Sequence, residues 1–152
     1  MREILFRAKA INRDKGYHRT KYKNGDWVYG LITRLYDEIF ENLPAEMTNE
    51  NGVSGIEIDH KTICQYTGLT DKNGNKIWEN DVVKKYNSNG DEWRISKIIW
   101  ADYSLNIGWC TEDIKSLTEY SGRLFKVGFD VNDAETCEVI GNIFDNKELL
   151  EN

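Results

Sequence analysis

Three side chains in the middle of the chain form the best candidate for a reactive group in this sequence. Asp59, His60 and Cys64 lie within six residues of one another, and a histidine beside a cysteine can activate the thiol as a nucleophile or bind a metal ion with it. The flanking residues alternate as strands and turns do, so His60 and Cys64 are not expected to share a helix face. No further group completes the site. We therefore predict that the protein is not an enzyme.

Glu79 and Asp81 form a second candidate pair, this time for acid–base chemistry. They flank Asn80 in a short polar corner between apolar stretches. Carboxylates at such corners commonly accept hydrogen bonds from the backbone of the turn itself. A structural role in the turn is therefore the favoured interpretation, and no catalytic residue is predicted.

The cysteines do not suggest a metal site either. Cys64, Cys110 and Cys137 are odd in number and widely separated, and they lack the Cys-x-x-Cys or Cys/His spacing of zinc sites. We expect three reduced thiols that behave as small buried apolar groups. No metal and no cofactor are predicted.

One segment has the composition of a binding surface. This basic arm, residues 13–23, lacks the alternation of a core-facing strand. Its cations could pair with phosphates and its rings could stack on unpaired bases. A solvated loop, a protein contact and a nucleic-acid contact all remain open for it. Its candidate binding residues are Arg13, Lys15, Tyr17, Arg19, Lys21, Tyr22 and Lys23.

Charge is distributed unevenly along the chain. The net charge is −6 and the pI is near 5.0, which argues against a generally basic nucleic-acid binder. Residues 1–35 nevertheless hold nine Lys/Arg against three Asp/Glu, a net +6, whereas residues 36–152 hold eleven against twenty-three, a net −12. Such segments attract each other, within one chain or between copies. A head-to-tail contact between copies would build a ring.

Length and composition indicate one compact unit of 152 residues. A hydrophobic content of 39% is enough for a core. A subdivision into residues 1–60, with the basic arm, and residues 61–152 is the alternative. No apolar run is long enough to span a membrane, and Arg7 and Lys9 interrupt any signal-peptide core. A cytoplasmic protein without membrane contact is expected.

The sequence pattern predicts short strands joined by Gly/Asn turns over most of the chain, which is typical of small β-barrels and packed sheets. The centre of the pattern is a hairpin over residues 65–83. Its Asn73–Gly74 pair predicts a two-residue type I′ turn. Four residues are expected to define its backbone angles: Gly68, Asn73, Gly74 and Asn80.

Other segments extend this pattern. Alternation predicts strands over residues 4–10 and 124–131, and apolar runs predict strands over 27–32 and 138–144. Ile114, Leu117 and Tyr120, spaced three apart, predict a short helix over residues 111–120 that Thr111 would cap. Asp145 and Glu148 predict a capped helical turn near the C-terminus.

These residues together resemble the YopX-like family of bacteriophages and prophages. Matching blocks run in order through the chain: residues 6–8, 27–30, 62–74, 77–83 and 138–146. The family usually has glycine where Asn80 stands and proline where Lys147 stands. The resemblance implies a mainly β fold (minor α) with an SH3-like barrel element, additional antiparallel strands and a short C-terminal helical turn. If the chain is subdivided, the SH3-like barrel is expected in residues 61–152. The resemblance implies no catalytic residue.

The sequence thus predicts a non-enzymatic phage or prophage accessory protein that acts through protein–protein contacts. The uneven charge, the five tryptophans and the missing reactive group favour a homo-oligomer, with an unknown phage or host protein as a further partner. The alternative is a nucleic-acid-binding module in phage replication or regulation that uses the basic arm.

Overall fold

A computed structural model describes residues 3–11, 21–35, 44–103, 106–117 and 126–151. The chain divides into two compact units, Met1–Tyr66 and Thr67–Asn152. The protein is mainly β, with two antiparallel sheets and one short helix among these residues. The proposed boundary at residue 60 stays a prediction.

The first sheet has six strands in the order β4-β3-β2-β1-β5-β6. In chain order they are β1 (Phe6–Lys9), β2 (Trp27–Arg34), β3 (Ala45–Asn49), β4 (Ile56–Ile58), β5 (Cys64–Thr70) and β6 (Lys76–Trp78). The unit boundary lies inside β5. The second sheet has the order β10-β9-β8-β7-β11. Its strands are β7 (Asp81–Tyr86), β8 (Glu92–Tyr103), β9 (Asn106–Ser116), β10 (Lys126–Gly128) and β11 (Cys137–Asn142).

The core of the first unit forms on one side of β1 and β2. Side chains alternate across a strand, and Ala8, Val28 and Met47 are fully buried on the inner side. Gly30 lies on the same side of β2, where a β-carbon would be 2.0 Å from the carbonyl oxygen of Thr48. Glycine at this position thus allows the backbone of β2 to lie close to that of β3.

The loop of the central hairpin differs from the predicted two-residue type I′ turn. Gly74 has a φ of 83°, but among the described non-glycine residues only Asn80 has a positive φ, so Asn73–Gly74 is not a type I′ pair. The N–H of Gly74 donates to Asp71 O and the N–H of Asp71 to Asn75 O. This is a three-residue loop closed by a left-handed glycine. The Asp71 carboxylate accepts the N–H groups of Asn73 and Asn75 and thereby selects the longer loop.

Two other hairpins have the same loop, in which a side-chain oxygen accepts two backbone N–H groups. The side-chain oxygen of Asn49 accepts the N–H groups of Asn51 and Val53, and that of Asn87 accepts those of Asn89 and Asp91. An Asx residue at the start of the loop, followed three residues later by glycine, is thus the turn signal of this chain.

Gly68 and Asn80 adopt the left-handed angles expected of them, with φ values of 87° and 65°. Backbone hydrogen bonds hold the corner at Asn80 in place. Its N–H donates to Ile98 O, and its carbonyl accepts the N–H of Ile143. The corner therefore connects β6–β7 with β8 and with the segment after β11.

Replacement of Asn80 by alanine is expected to lower the free energy of unfolding by about 1 kcal/mol, because a β-carbon disfavours left-handed φ and asparagine tolerates it better. Asn80→Gly removes the same side-chain contacts without that backbone cost, so it is the matched control and should be the more stable variant of the two. Thermal unfolding of both variants measures the difference. Equal stability of the two would contradict the assigned angle.

The helix predicted over residues 111–120 is wrong where the structure describes it. Residues 111–116 belong to β9, which pairs with β8 along its length. Thr111 lies opposite Ile98, and both are fully buried. Burial on the sheet outweighs the three-residue spacing of Ile114 and Leu117. Tyr120 lies outside the described residues.

The α-helix instead covers Val131–Thr136 and is named α1. Asp130 caps it: its carboxylate accepts the N–H groups of Asn132 and Asp133. Residues 124 and 125 of the predicted strand over 124–131 lie outside the described residues. In its described part, β10 covers only Lys126–Gly128, and Val131 is exposed in the helix. The capping signal of Asp130 was stronger than the apolar alternation.

The C-terminal helical turn is confirmed as a 3-10 turn over Lys147–Leu150, but the predicted cap is not. Asn142 organises this segment, because its side-chain oxygen accepts the N–H groups of Phe144 and Asp145. The Asp145 carboxylate accepts from the Asn142 amide instead of capping the turn. The strand ladders of the described residues form no closed barrel, and the SH3-like element stays a prediction.

Candidate functional site

The reactive group considered first is not assembled. His60 is exposed in a 3-10 turn, His60–Thr62, which Asp59 caps by accepting the N–H of Lys61. Cys64 is fully buried, and its thiol donates to Thr62 O at 3.3 Å. An exposed imidazole and a buried thiol cannot act on one substrate.

Asp81 has the structural role predicted for it. Its carboxylate is 1% exposed and accepts the N–H of Trp78 at 2.8 Å, which closes the corner at Asn80. Among the described residues, no group of three or more His, Cys, Asp or Glu side chains could hold a metal ion. No described helix has the length and apolar character needed to cross a membrane.

All three cysteines are free and buried, as predicted. Burial raises the pKa of the Cys137 thiol to about 12. Because the thiolate is the reactive species, the native protein should not react with an aromatic disulfide reagent at pH 8. About three equivalents should react in denaturant. Rapid labelling of the native protein would contradict the burial of these thiols.

The structure describes only part of the basic arm. Arg13, Lys15, Tyr17 and Arg19 lie outside the described residues. Lys21 and Lys23 are exposed.

Tyr22, the remaining candidate of the arm, has a structural role. It packs against the core of the first unit, and its hydroxyl accepts a hydrogen bond from the Asn49 amide at 3.1 Å. Its ring is therefore committed to the fold of the first unit and is poorly placed to stack on a base.

A different set of cations and rings lies on the outer side of β1 and β2. We call Arg7, Lys9, Trp27 and Tyr29 the basic–aromatic face. The register places Lys9 opposite Trp27 and Arg7 opposite Tyr29. The Arg7 guanidinium lies 4.5 Å and the Lys9 ammonium 4.3 Å from the centre of the Trp27 ring. Both contacts are within the range of cation–π attraction.

The face continues along β2. Tyr29 is 37% exposed and Leu31 is 53% exposed, and both point to the same side as Trp27 because side chains two apart on a strand share a side. Lys23 approaches the same end of β2, since its carbonyl accepts the N–H of Asp26 in the turn before Trp27. Lys9 and Lys23 therefore lie near one end of the aromatic row. The Asp26 carboxylate lies there too, since it accepts the N–H of Lys23, and Arg7 is buried.

The second unit has an exposed apolar region that we call the tryptophan edge: Trp100, Trp109 and Val127. The Trp100 and Trp109 rings meet edge to face at 5.0 Å between centroids, on adjacent positions of β8 and β9. Trp100 is 48% exposed, and Val127 on β10 is 42% exposed. Val127 lies opposite Thr111, on the same side of the sheet as Trp109. β10 ends the strand order of this sheet.

Charged side chains are also buried in the second unit. Arg94 and Asp113 form an ion pair in which both side chains are buried, and Ser96 Oγ donates to Asp113 at 2.8 Å. Nearby on the same side of the sheet, Lys85 Nζ donates to Thr111 Oγ1 at 2.9 Å. Such mutual satisfaction of polar groups indicates a structural network rather than a binding site.

Sequence reasoning missed both surfaces. Residues 27–32 are apolar on both sides of the strand, so alternation could not tell which side faces the core. The contact of Trp100 with Trp109 depends on the pairing of β8 with β9, which no local pattern encodes. Lys9 and Trp27 both lie in predicted strands, but the antiparallel pairing that brings them together was not predicted.

Comparison with known families matches residues 6–151 to the model described as YopX protein. Among solved structures, the chain is similar to protein EF1440 from Enterococcus faecalis, with 24% sequence identity and a TM-score of 0.46 over 98% of this chain and 99% of that one. A search of curated proteins finds no significant match.

Proposed function

The chain belongs to the YopX family, and from that premise we propose that it is a non-enzymatic phage or prophage accessory protein that acts through protein–protein contacts in the cytoplasm of a bacterial host. The tryptophan edge is the observation that supports this proposal. Aromatic side chains are enriched where proteins bind each other, and they supply much of the binding energy there.

The position of the edge adds to the argument. β10 has three residues, all of them exposed, at the end of its sheet. An end strand presents backbone N–H and C=O groups to which another chain can add a strand. The exposed Trp100 and Val127 side chains would supply apolar contacts beside such an added strand. The backbone of β10 and the exposed side chains beside it thus both favour a protein contact at this end of the sheet.

A second copy of the chain is the first partner to consider. The net +6 of residues 1–35 and the net −12 of residues 36–152 attract each other between copies, and a contact between unlike surfaces repeats until a ring closes. An unknown phage or host protein is the second partner. Contact with a membrane is not part of the proposal.

The SH3-like barrel element implied for residues 61–152 belongs to the same proposal. The five-stranded antiparallel sheet β10-β9-β8-β7-β11 in this part of the chain supports it. An experimental structure of the full chain tests it, and an open sheet over residues 61–152 would contradict it.

The tryptophan edge can be tested with paired surface variants. Light scattering of Trp100→Ser and Val127→Ser, at several protein and salt concentrations, should show a smaller assembly than the unchanged chain. Ile4→Ser is the matched control, because Ile4 is 63% exposed in the first unit and lies outside the edge. A strict monomer at low salt and high concentration would exclude the homo-oligomer.

Affinity capture then separates the two partners. Tagged protein from induced lysogens, captured with and without nuclease, should retain the same protein partner in both cases and lose it in the Trp100→Ser variant. If the unchanged chain captures no protein and forms no oligomer, the proposed function is wrong.

A further inference from the structure

We propose that Asn89 is a site of spontaneous covalent modification, at which the side-chain amide is converted to aspartate or isoaspartate. This goes beyond the protein contacts proposed above, because the site is the tip of the β7–β8 hairpin and not the tryptophan edge. The co-reactants are water and hydroxide. An asparagine followed by glycine occurs at four exposed places, of which the structure singles out the last: residues 24–25, 51–52, 73–74 and 89–90.

The reaction uses the backbone nitrogen that follows the asparagine. Hydroxide removes the proton of the Gly90 N–H, the nitrogen attacks Cγ of Asn89, and the side-chain nitrogen leaves as ammonia. Glycine favours this attack because it has no β-carbon to hinder closure of the ring. Water then opens the cyclic succinimide. Opening at Cγ gives aspartate, whereas opening at the backbone carbonyl carbon gives isoaspartate, with one additional methylene in the backbone.

The folded loops hold this nitrogen in a hydrogen bond. The N–H of Gly90 donates to Asn87 O at 3.0 Å. A loop must therefore open before the reaction can begin, and the rate depends on how much other structure is lost when it opens. The other three glycines donate in the same way at 2.9 Å: Gly25 to Ala10 O, Gly52 to Asn49 O and Gly74 to Asp71 O.

The loop around Asn89 is held by its own residues. The Asn87 side chain accepts the N–H groups of Asn89 and Asp91 and donates to the Asp91 carboxylate. The backbone N–H of Asn87 also donates to Asp91 O at 2.9 Å. Within the described part of the chain, residues 87–91 make no hydrogen bond to an element outside the β7–β8 hairpin. This exposed loop can therefore open while the rest of the sheet stays intact.

The loop around Asn73 is anchored to β11. The Asp71 carboxylate accepts the N–H of Val139 at 3.0 Å, and the N–H of Lys72 donates to Cys137 O at 3.1 Å. Opening of this loop therefore disturbs a second strand, although its dipeptide is the same as that of Asn89.

The two sites in the first unit are anchored as well. The N–H of Glu50, beside Asn51, donates to Tyr29 O on β2 at 3.1 Å. The bond from Gly25 to Ala10 reaches the chain just after β1. Each hydrogen bond that must break together with a loop lowers the rate roughly two- to tenfold. Asn89 should therefore react first, about tenfold faster than the asparagines at the other three sites.

The test is peptide mapping by mass spectrometry of the full-length chain after incubation at mildly alkaline pH. In the native protein, the peptide that contains Asn89 should convert about tenfold faster than those that contain Asn24, Asn51 and Asn73. In denaturant all four should convert at similar rates, because the dipeptide is the same and the loops are lost. Isoaspartate should accompany aspartate, since both arise from the succinimide.

Asp71→Asn tests whether anchoring sets the rate. This variant loses the acceptor of the Val139 N–H, so conversion of Asn73 should become roughly two- to tenfold faster. Conversion of Asn51 and Asn89 should not change, which also shows that both units remain folded. Glu112→Ala is the control, because it removes partly exposed ion pairs from the same unit and should leave all four rates unchanged.

Three results would overturn the proposal. The first is conversion of Asn24, Asn51 or Asn73 in the native protein as fast as that of Asn89. The second is a native Asn89 that stays unmodified while the denatured chain converts, and the third is a product without isoaspartate. Trp100→Ser should leave the rate at Asn89 unchanged, so failure here leaves the proposed function standing.

Discussion

Replacement of Asp113 by alanine is expected to destabilise the unit Thr67–Asn152 by about 3–5 kcal/mol, the usual cost of removing one member of a buried ion pair. Arg94 is 5% exposed and Asp113 is 7% exposed. Without the carboxylate, the Arg94 guanidinium remains buried beside a cavity, and Ser96 Oγ loses its acceptor. Urea unfolding followed by fluorescence measures the loss as a lower midpoint at an unchanged slope.

Glu112→Ala is the matched control for Asp113→Ala. Glu112 is the preceding residue of β9 and forms ion pairs with Lys97 at 3.0 Å and Lys126 at 2.7 Å, but all three side chains are partly exposed. Exposed pairs contribute about 1 kcal/mol or less each. Equal losses for the two variants would contradict the structural role of the buried pair.

A double replacement distinguishes the cost of an uncompensated buried charge from the cost of lost packing. In Arg94→Met with Asp113→Leu, both charges are removed and apolar groups of similar volume take their place. Such replacements are often neutral or stabilising. The double variant should therefore recover most of the stability that Asp113→Ala loses. If it is as unstable as the single variant, the loss comes from packing rather than from an unpaired charge.

Replacement of Asp71 by alanine should cost about 2–4 kcal/mol, because one carboxylate serves both the hairpin and a distant strand. It accepts the N–H groups of Asn73 and Asn75 and, through its other oxygen, the N–H of Val139 at 3.0 Å. Asn73 and Asn75 are exposed, so their turn contributes about 1 kcal/mol. Val139 is partly buried, and its N–H left without an acceptor adds about 1–3 kcal/mol. Thermal or urea unfolding gives the loss directly.

Asp71→Asn should have an intermediate effect. Asparagine already performs the turn role at Asn49 and Asn87, so the loop itself should persist. The amide nitrogen would then face the N–H of Val139, where two donors cannot bond. Asn87→Ala is the control for the turn alone and should cost only about 1 kcal/mol. Equal effects of Asp71→Ala and Asn87→Ala would exclude the link to β11.

Asp71 also predicts how stability responds to acid. Burial raises the pKa of its carboxyl, but hydrogen bonds from Val139, Asn75 and Asn73 outweigh burial, so the net pKa lies below the ordinary value. A depressed folded-state pKa adds stability that is fully present above the unfolded pKa, about 3.9, and is lost as pH falls through the folded value. Unfolding between pH 5 and about pH 2 should therefore show a weaker acid dependence in Asp71→Asn. An unchanged dependence would contradict this role.

Local rules account for what could be read without the structure. The left-handed angles of Gly68, Gly74 and Asn80 follow from residue type, because few other residues adopt them at low cost. The structural role of Asp81 and the burial of the cysteines follow from spacing and residue type. The candidate reactive group of His60 and Cys64 could also be doubted on pattern alone.

The remaining features depended on partners distant in sequence. Val28 and Tyr29 are both acceptable on either side of β2. Only the packing of Val28 in the core of the first unit decided that Tyr29 is outside. Tyr22 resembled a ring for stacking until its contact with Asn49 placed it against the core.

The mainly β fold, its turn residues and its family were thus determined by the amino-acid sequence itself, because turns and alternation act over a few residues. Residues 111–116 became a strand because β8 offered a complete ladder and Thr111 could be buried. The two exposed aromatic surfaces were likewise decided by the tertiary structure. Which of the two sides of a strand is exposed depends on which side the rest of the fold covers.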